Sequence, residues 1–378
     1  MFADGDWIET KDQSAEGIRL IQTGNVGHGE FKNRGNRARF ISEATFKRLS
    51  CQEVYEGDCL VSRLPDPVGR SCIVPAIDAK MITAVDCTIL RFHADKLIPE
   101  FFKYYSQSAQ YLADVEVYCT GATRKRISRK NLGRVHVPIP PLPEQKRIVA
   151  ILDEAFAGIA TAVANTKKNL ANARELFESY LNAIFSQRSE AWKCIKFSDG
   201  VSAIRPPRKV QRKEFQDSGP FPIVSQEHGK INGRWSRRDD VIHVDRPIII
   251  FGDHTRVFKY IDFDFVAGAD GTKILRPAPF LQAKYLYYLA QSLPLKGMGY
   301  ARHYRILKDM EVWYPEDFSE QEAIATRIDE LLEELNRLEA VYNQKLSALA
   351  ELKQSLLQKA FSGELTATPQ DEIETALA

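Results

Sequence analysis

Two stretches of the chain carry apolar residues at helical spacing for far longer than an ordinary surface helix. In residues 144–187, Leu152, Ile159, Thr166, Ala173 and Tyr180 recur every seven positions, with Ile148, Ala155, Ala162, Asn169, Leu176 and Ala183 as the second seam position. In residues 319–363, Ile328, Leu335, Tyr342, Leu349 and Leu356 alternate with Ile324, Leu331, Leu338, Lys345 and Leu352. Five to six heptads predict coiled-coil helices rather than ordinary amphipathic ones. Pro138, Pro140, Pro141 and Pro143 precede a helix released at Glu144. Ser319 with Glu322 reads as a capping box, and Gly363 as a stop.

The remaining chain alternates short apolar runs with turns. Strands are predicted at Gly17 to Gln22, Cys59 to Arg63, Ile89 to Phe92, Val135 to Ile139, Phe221 to Val224, Pro247 to Phe251, Thr272 to Leu275 and Met310 to Tyr314. Helices are predicted at Leu97 to Asp114 and Leu281 to Leu293, where the aromatic residues fall at core spacing.

These elements occur twice. A shift of 176 residues superposes Glu144-Gln145 on Glu320-Gln321, Leu152-Asp153 on Ile328-Asp329 and Phe185-Ser186 on Phe361-Ser362 without a gap. Upstream, Phe101-Phe102-Lys103-Tyr104-Tyr105 aligns with Tyr285-Leu286-Tyr287-Tyr288-Leu289, Gly121 with Gly299 and Leu90-Arg91 with Leu275-Arg276. The expected organisation is a globular segment at 1–143, a long helix at 144–187, a second globular segment at 188–318, a second long helix at 319–363 and a tail at 364–378. The fold class is α+β: two mixed α/β domains in tandem pseudo-two-fold repeat, separated by two long helices pairing as an antiparallel coiled coil. A helix of about 43 residues is roughly 64 Å long, so the first carries the chain far from the first globular segment, and pairing sends the second back.

Composition narrows the function classes. With 378 residues, 44% apolar and 27% charged, the chain reads as globular and of about two domains. No stretch is expected to reach the run of apolar residues that a spanning helix needs, and the first residues lack the pattern of a leader. The expected location is the cytoplasm, with no membrane partner. Six cysteines without a C-x-x-C pair suit reduced thiols. No histidine pair shows metal-ligand spacing, so no metal site is expected.

The net charge of +2 conceals an uneven distribution. Lys and Arg exceed Asp and Glu by three over 1–143 and by six over 188–318, balance over 144–187, and fall short by seven over 319–378. Two basic globular segments make a polyanion a live partner. Phosphate-loop, dinucleotide-binding and nucleophile-elbow motifs are absent from the sequence, as is the tetrapeptide of adenine methyltransferases. Gly252-Asp253-His254 could be imagined as catalytic, but a polar turn accounts for it equally. No catalytic residue is expected.

Amide-bearing and basic residues in turn-like settings do recur. After the first strand come Gln22, Thr23, Asn25, His28, Lys32 and Arg34; at the corresponding place in the second half come Ser225, Gln226, His228, Lys230, Asn232 and Arg234. Gly121 precedes Thr123, Arg124, Lys125 and Arg126, and Gly299-Tyr300-Ala301 precede Arg302, His303 and Arg305. Arg63, His254, Thr255 and Arg256 complete the candidate DNA-binding set. Gln or Asn can grip an adenine edge and Arg a guanine edge, while glycine lets backbone approach and cations suit phosphates. Arg205, Arg208, Lys209, Arg212 and Lys213 form a basic cluster unique to the second half, read as a surface loop or a phosphate contact.

The run Gly121-Ala122-Thr123-Arg124-Lys125-Arg126-Ile127-Ser128, followed by Val137-Pro138-Ile139-Pro140-Pro141-Leu142-Pro143-Glu144-Gln145-Lys146-Arg147-Ile148, resembles the specificity subunit of type I restriction-modification systems. The weaker repeat at 299–324 and the close at Phe361-Ser362-Gly363-Glu364-Leu365 fit as well. That resemblance implies a non-catalytic subunit whose two recognition domains each read one half of a bipartite site in double-stranded DNA. It implies helices that set the spacer and dock two modification subunits, with restriction subunits joining the larger complex. S-adenosylmethionine, ATP and magnesium would then sit on partner subunits, with no cofactor on this chain. A coiled-coil scaffold without DNA specificity, or a stand-alone DNA-modifying enzyme, are the alternatives.

Overall fold

The computed structural model describes residues 1–187, 189–295, 297 and 302–366. The chain divides into two compact units, Met1–Thr166 with Gln344–Ala378 and Lys167–Asn343. Each holds a mixed α/β body and part of both long helices, Leu142–Ser186 and Phe318–Ser362.

In the first unit an antiparallel sheet runs in the order Phe2–Asp4, Cys87–Leu90, Cys59–Ser62, Ser71–Ile73. All four residues of Cys59–Ser62 are buried because both faces of the sheet are covered. Side chains alternate across the strand. Cys59 and Val61 meet the aromatic helices, while Leu60 meets a second layer containing Ile21, Val54 and Cys72. That layer includes a sheet in which Ile18–Ile21 runs parallel to Met81–Thr83.

The second unit repeats the plan. Its four-stranded sheet runs Val201–Ala203, Thr272–Pro277, Ile248–Gly252, Phe258–Ile261. Ile249 and Phe251 meet the helical core and Ile248 and Ile250 the other side. Phe221–Val224 again runs parallel to a later strand, Phe265–Gly268.

Three local expectations need correcting. The helix predicted over Leu97 to Asp114 is two, Pro99–Tyr105 and Ala109–Val117, because the Ser108 hydroxyl accepts the Tyr111 N–H at 3.2 Å and caps a new start. Val135 to Ile139 is not a strand. Its counterpart Glu311–Tyr314 pairs antiparallel with Lys193–Lys196, whereas Val135 to Ile139 runs into prolines that offer no N–H and meets no strand among the described residues. The second long helix is capped by Asp317, whose Oδ1 accepts both the Ser319 N–H (2.9 Å) and hydroxyl (2.7 Å). It ends where Gly363 turns to φ +90°.

The seams are also revised. On the second helix Ile328, Leu335, Leu349 and Leu356 lie on the covered stripe, but the companion row is Ala325, Leu332, Glu339, Leu346, Lys353 and Ala360. That row sits one residue beyond the expected one, of which Leu338 and Leu352 are exposed while Ile324 and Leu331 are half-buried, Ile324 against the second unit's core. On the first helix Ile148, Leu152, Ile159, the buried Thr166 and the half-buried Ala173 hold, then the stripe runs through Phe177, Leu181 and Ile184, leaving Leu176 72% exposed and Tyr180 at the surface. The covered positions of that helix recur about every 3.6 residues. A straight helix drifts about 20° per heptad against a 3.5-residue repeat, enough over five heptads to turn the predicted row away.

Each unit joins the start of one long helix to the end of the other. Ile148 and Leu152 share a core with Leu357 and Ala360 in the first unit, and Ala325 and Ile328 with Leu181 and Phe185 in the second. The two helices are therefore antiparallel within each unit. The first helix is long and apolar enough to cross a membrane by length and composition, with a window of mean hydropathy 1.5, because alanine fills much of its surface. Its Ile148 and Leu152 are nevertheless buried in the first unit's core.

Candidate nucleic-acid interface

In the first unit the loop after Ile18–Ile21 closes on itself. Asn25 is buried; its Oδ1 accepts the Gln22 N–H (3.0 Å) and its Nδ2 donates to the Lys32 carbonyl (2.9 Å). Asn25 therefore shapes the turn and does not face a ligand, because its amide is already satisfied. The loop is held from beneath by Arg70, also buried. Its Nε donates to the Val26 carbonyl (2.7 Å), Nη2 to Thr23 (2.9 Å) and Nη1 to Leu64 and Pro67 (2.6 and 3.0 Å). Lys32 and Arg34 are exposed at the rim. The Arg34 guanidinium lies against Gly24, where a β-carbon would meet it at 2.2 Å. His28 is half-buried, and burial, then Lys353 and Arg70, hold its pKa below the usual range, so it is neutral near pH 7.

The second loop has the same plan with different parts. The Asn232 Oδ1 accepts the Ser225 N–H (2.8 Å) and hydroxyl (3.0 Å), and its Nδ2 donates to the Gly229 carbonyl (3.0 Å). Ser225 is buried and structural. Lys259 takes Arg70's place beneath the loop, its Nζ donating to the Gly229 carbonyl (2.5 Å) and Asn232 Oδ1 (2.8 Å). Gln226 faces the next turn, accepting the His254 N–H at Oε1 (3.2 Å) and the Thr255 hydroxyl at its carbonyl (2.6 Å). His228 and Lys230 are exposed, Lys230 beside Asp262 at 3.6 Å. Arg234 pairs its backbone with Gln216.

The remaining candidates fall differently in the two units. In the first, Thr120 and Arg126 pair across a hairpin whose tip presents Thr123 and Arg124, with Gly121 at φ +101°. Lys125 pairs with Glu116, and Arg126 with Asp86 at 3.7 Å. No hydrogen bond or ion pair joins this hairpin to the Gln22 loop among the described residues. Arg63 is not a surface cation. It is 5% exposed, with Asp4 at 3.4 Å and the Val85 carbonyl as acceptor, because it directly follows Cys59–Ser62, a strand covered on both faces.

In the second unit Asp253 gathers the turns. Its backbone carbonyl accepts the His303 N–H (3.0 Å) and lies 2.9 Å from Nδ1, and its Oδ1 accepts the Tyr304 N–H (2.8 Å). His303 is consequently buried and positions the segment, while Arg302 and Arg305 are exposed. Arg256 is exposed, held at φ +62° with its Nη1 on the Leu295 carbonyl (3.0 Å). Gly299, Tyr300 and Ala301 lie outside the described residues. Lys209, Lys273, His254 and Arg302, with Asp253 and Asp270, line a cleft of about 510 Å³. Burial, then Lys273, lowers the Lys209 pKa. Of the basic cluster, Arg208 pairs with Glu214 (2.5 Å) and Arg212 with Glu227 (2.9 Å), so these two brace the loop.

Arg70 and Lys259 were not among the expected residues. In sequence they resemble any other cation, and only the hairpin that buries them shows their role.

Residues 21–172 match the type I restriction modification DNA specificity domain. The chain is 22% identical over 314 residues to the StySPI specificity subunit of Salmonella potsdam, covering 71% of this chain and 66% of that protein. It is 22% identical over 327 residues to the EcoKI specificity subunit of Escherichia coli K12, covering 74% and 68%. The chain thus spans about two thirds of the length of these relatives. Its fold matches a chain solved in work on complex assembly and conformational transition of the type I R-M system, with TM-score 0.77 and 17% identity over 96% of this chain and 95% of that one. It also matches the HsdS subunit from Thermoanaerobacter tengcongensis, with TM-score 0.57 and 16% identity over 92% and 91%. Residues 21–172 thus match a type I restriction modification DNA specificity domain, and over most of its length the chain is similar to type I specificity subunits.

Proposed function

We propose that this chain is the DNA-reading subunit of a type I restriction-modification complex, each unit reading one half of a bipartite site in double-stranded DNA. The observation that carries this reading is the duplicated loop. In both units an asparagine closes a turn at the end of a parallel strand, a buried cation holds it, and exposed cations stand at its rim. A loop held by internal hydrogen bonds presents its edge at little entropic cost, as direct readout in the major groove requires.

The chain itself is non-catalytic in this reading. Two modification subunits bring the methyl-transfer chemistry with S-adenosylmethionine, and restriction subunits bring ATP and magnesium. Exposed apolar side chains on the long helices, Leu352 in the first unit and, separately, Leu176 and Leu338 in the second, are the positions we assign to contacts with the modification subunits. The long helices set the spacer. Co-expression with the modification subunits followed by mapping of methylated adenines should give two short half-sites separated by a fixed spacer. One added heptad at matched positions of both helices adds about 10 Å, roughly three base pairs, to the spacer and leaves both half-sites unchanged. Methylation without a bipartite pattern would overturn the reading, and an unchanged spacer the role of the helices.

A further inference from the structure

Arg70 and Lys259 are buried cations whose hydrogen-bond partners are all uncharged. Arg70 is 7% exposed and spends its guanidinium on four main-chain carbonyls, two of them, Thr23 and Val26, in the first loop. Lys259 is 5% exposed and spends its ammonium on one carbonyl and one side-chain amide of the second loop. Both come from the same hairpin of the repeated four-stranded sheet. Arg70 leads into Ser71–Ile73, and Lys259 lies within Phe258–Ile261. A charge taken from water with no carboxylate hydrogen-bonded to it is costly, even with Asp66 near Arg70 and Glu227 near Lys259, and that cost has been met twice, under the corresponding loop, by different residues.

We propose that Arg70 and Lys259 are positioning residues that set base discrimination, each through its own loop and for its own half-site, without touching DNA. The inference rests on the DNA-reading function proposed above. The loop edges are fixed by the carbonyls these cations hold. Releasing Val26 and Thr23, or Gly229 and Asn232, leaves the exposed rim residues in place but free to shift by more than a hydrogen bond tolerates.

The two cations differ in a way that separates positioning from mere stability. Burial lowers the Arg70 pKa, opposed by Asp66 on the adjacent turn, but a guanidinium starts so high that it keeps its charge at pH 9. Burial pushes the Lys259 ammonium down to about 8, opposed by Glu227, the carboxylate on the loop above it. Glu227 is itself paired with Arg212 at 2.9 Å, and the neighbouring Lys230 lies beside Asp262. Above pH 8 the Lys259 bonds lose their charge assistance, while those of Arg70 do not.

The test uses the full chain with its modification subunits and a pool of random-sequence duplex DNA, sequencing the bound fraction at pH 7 and pH 9. The wild type should enrich two half-motifs. Lys259→Met should flatten one by about tenfold at its most selective positions, and Arg70→Met the other, within the range a single mismatched pair costs. Arg70→Lys should recover part of the loss. At pH 9 the wild type should lose selectivity in the Lys259 half alone, and Lys259→Arg should abolish that pH dependence. A merely structural role would lower melting temperature and total DNA retention while leaving both motifs intact among bound molecules, and that result overturns the inference. If Arg70→Met does not fold, Arg70→Lys and the pH profile decide. A wild type that enriches no motif defeats the DNA-reading function itself.

Discussion

The two units agree where the long helices begin and diverge where the loops reach outward. Gln145 and Gln321, 176 residues apart, are both fully buried and make the same three bonds. Gln145 Oε1 accepts the Ile98 N–H (3.0 Å), and its Nε2 donates to the Lys96 and Pro140 carbonyls (both 2.8 Å). Gln321 accepts the Gln282 N–H (2.8 Å) and donates to Phe280 (2.9 Å) and Pro315 (2.8 Å). About two turns further on, the Tyr104 hydroxyl donates to Asp153 as Tyr288 donates to Asp329. The loops share only a plan. Arg70 stands under one and Lys259 under the other, and a hairpin tied to Glu116 and Asp86 in the first unit corresponds to a cleft gathered by Asp253 in the second. Conserved glutamine and tyrosine bonds at the helix junctions beside divergent loops are what the proposed function expects of a chain with one mechanical task performed twice and two half-sites to read.

The strongest way to break that comparison is to exchange residues 1–143 for another recognition segment. One half-site should change completely and the other not at all, as mapping of methylated adenines would show. A change in both would mean the loops are not independent. Next, Gln145→Ala and Gln321→Ala should each destabilise the protein by about 3 kcal/mol, since each strands a buried backbone donor and two acceptors. Chemical denaturation would show the equality or refute it; an effect confined to one site would mean the junctions are not equivalent. The smallest effect is expected at the hairpin tip. Arg124→Ala should lower the slope of log affinity against log salt by about one while leaving both half-motifs unchanged. A lost motif would instead make Arg124 a base reader.

Much of this was legible from residue order. The 176-residue repeat located the paired glutamines, and the aromatic runs identified the core helices, whose Phe101, Tyr104, Tyr285 and Tyr288 are buried. Strong apolar runs such as Ile248–Gly252 became strands because nothing but burial on two faces suits them. The candidate site was less legible. Asn25, Arg63, Ser225 and His303 carry the side chains of base or phosphate readers, yet each is spent inside the fold. Burial depends on which segments pack above a residue, and those come from elsewhere in the chain. The same reason separates Arg70 and Lys259 from the exposed cations around them. The heptad row is lost at Leu176 because a small angular drift accumulates along the first helix, whereas at Leu338 the covered row keeps its seven-residue spacing but starts one residue later, an offset set by what packs above it.

By itself, the sequence determined what is local or repeated: two long helices, the short strands, the duplicated order and the excess of positive charge in both globular segments. Periodicity and composition act over a few residues, so they survive without knowledge of the fold. The tertiary structure alone decided which polar side chains face outward, which brace the loops, and which row of each helix is covered. Those outcomes depend on desolvation and hydrogen bonding between residues far apart in the chain, such as Arg70 with Thr23 and Lys259 with Gly229.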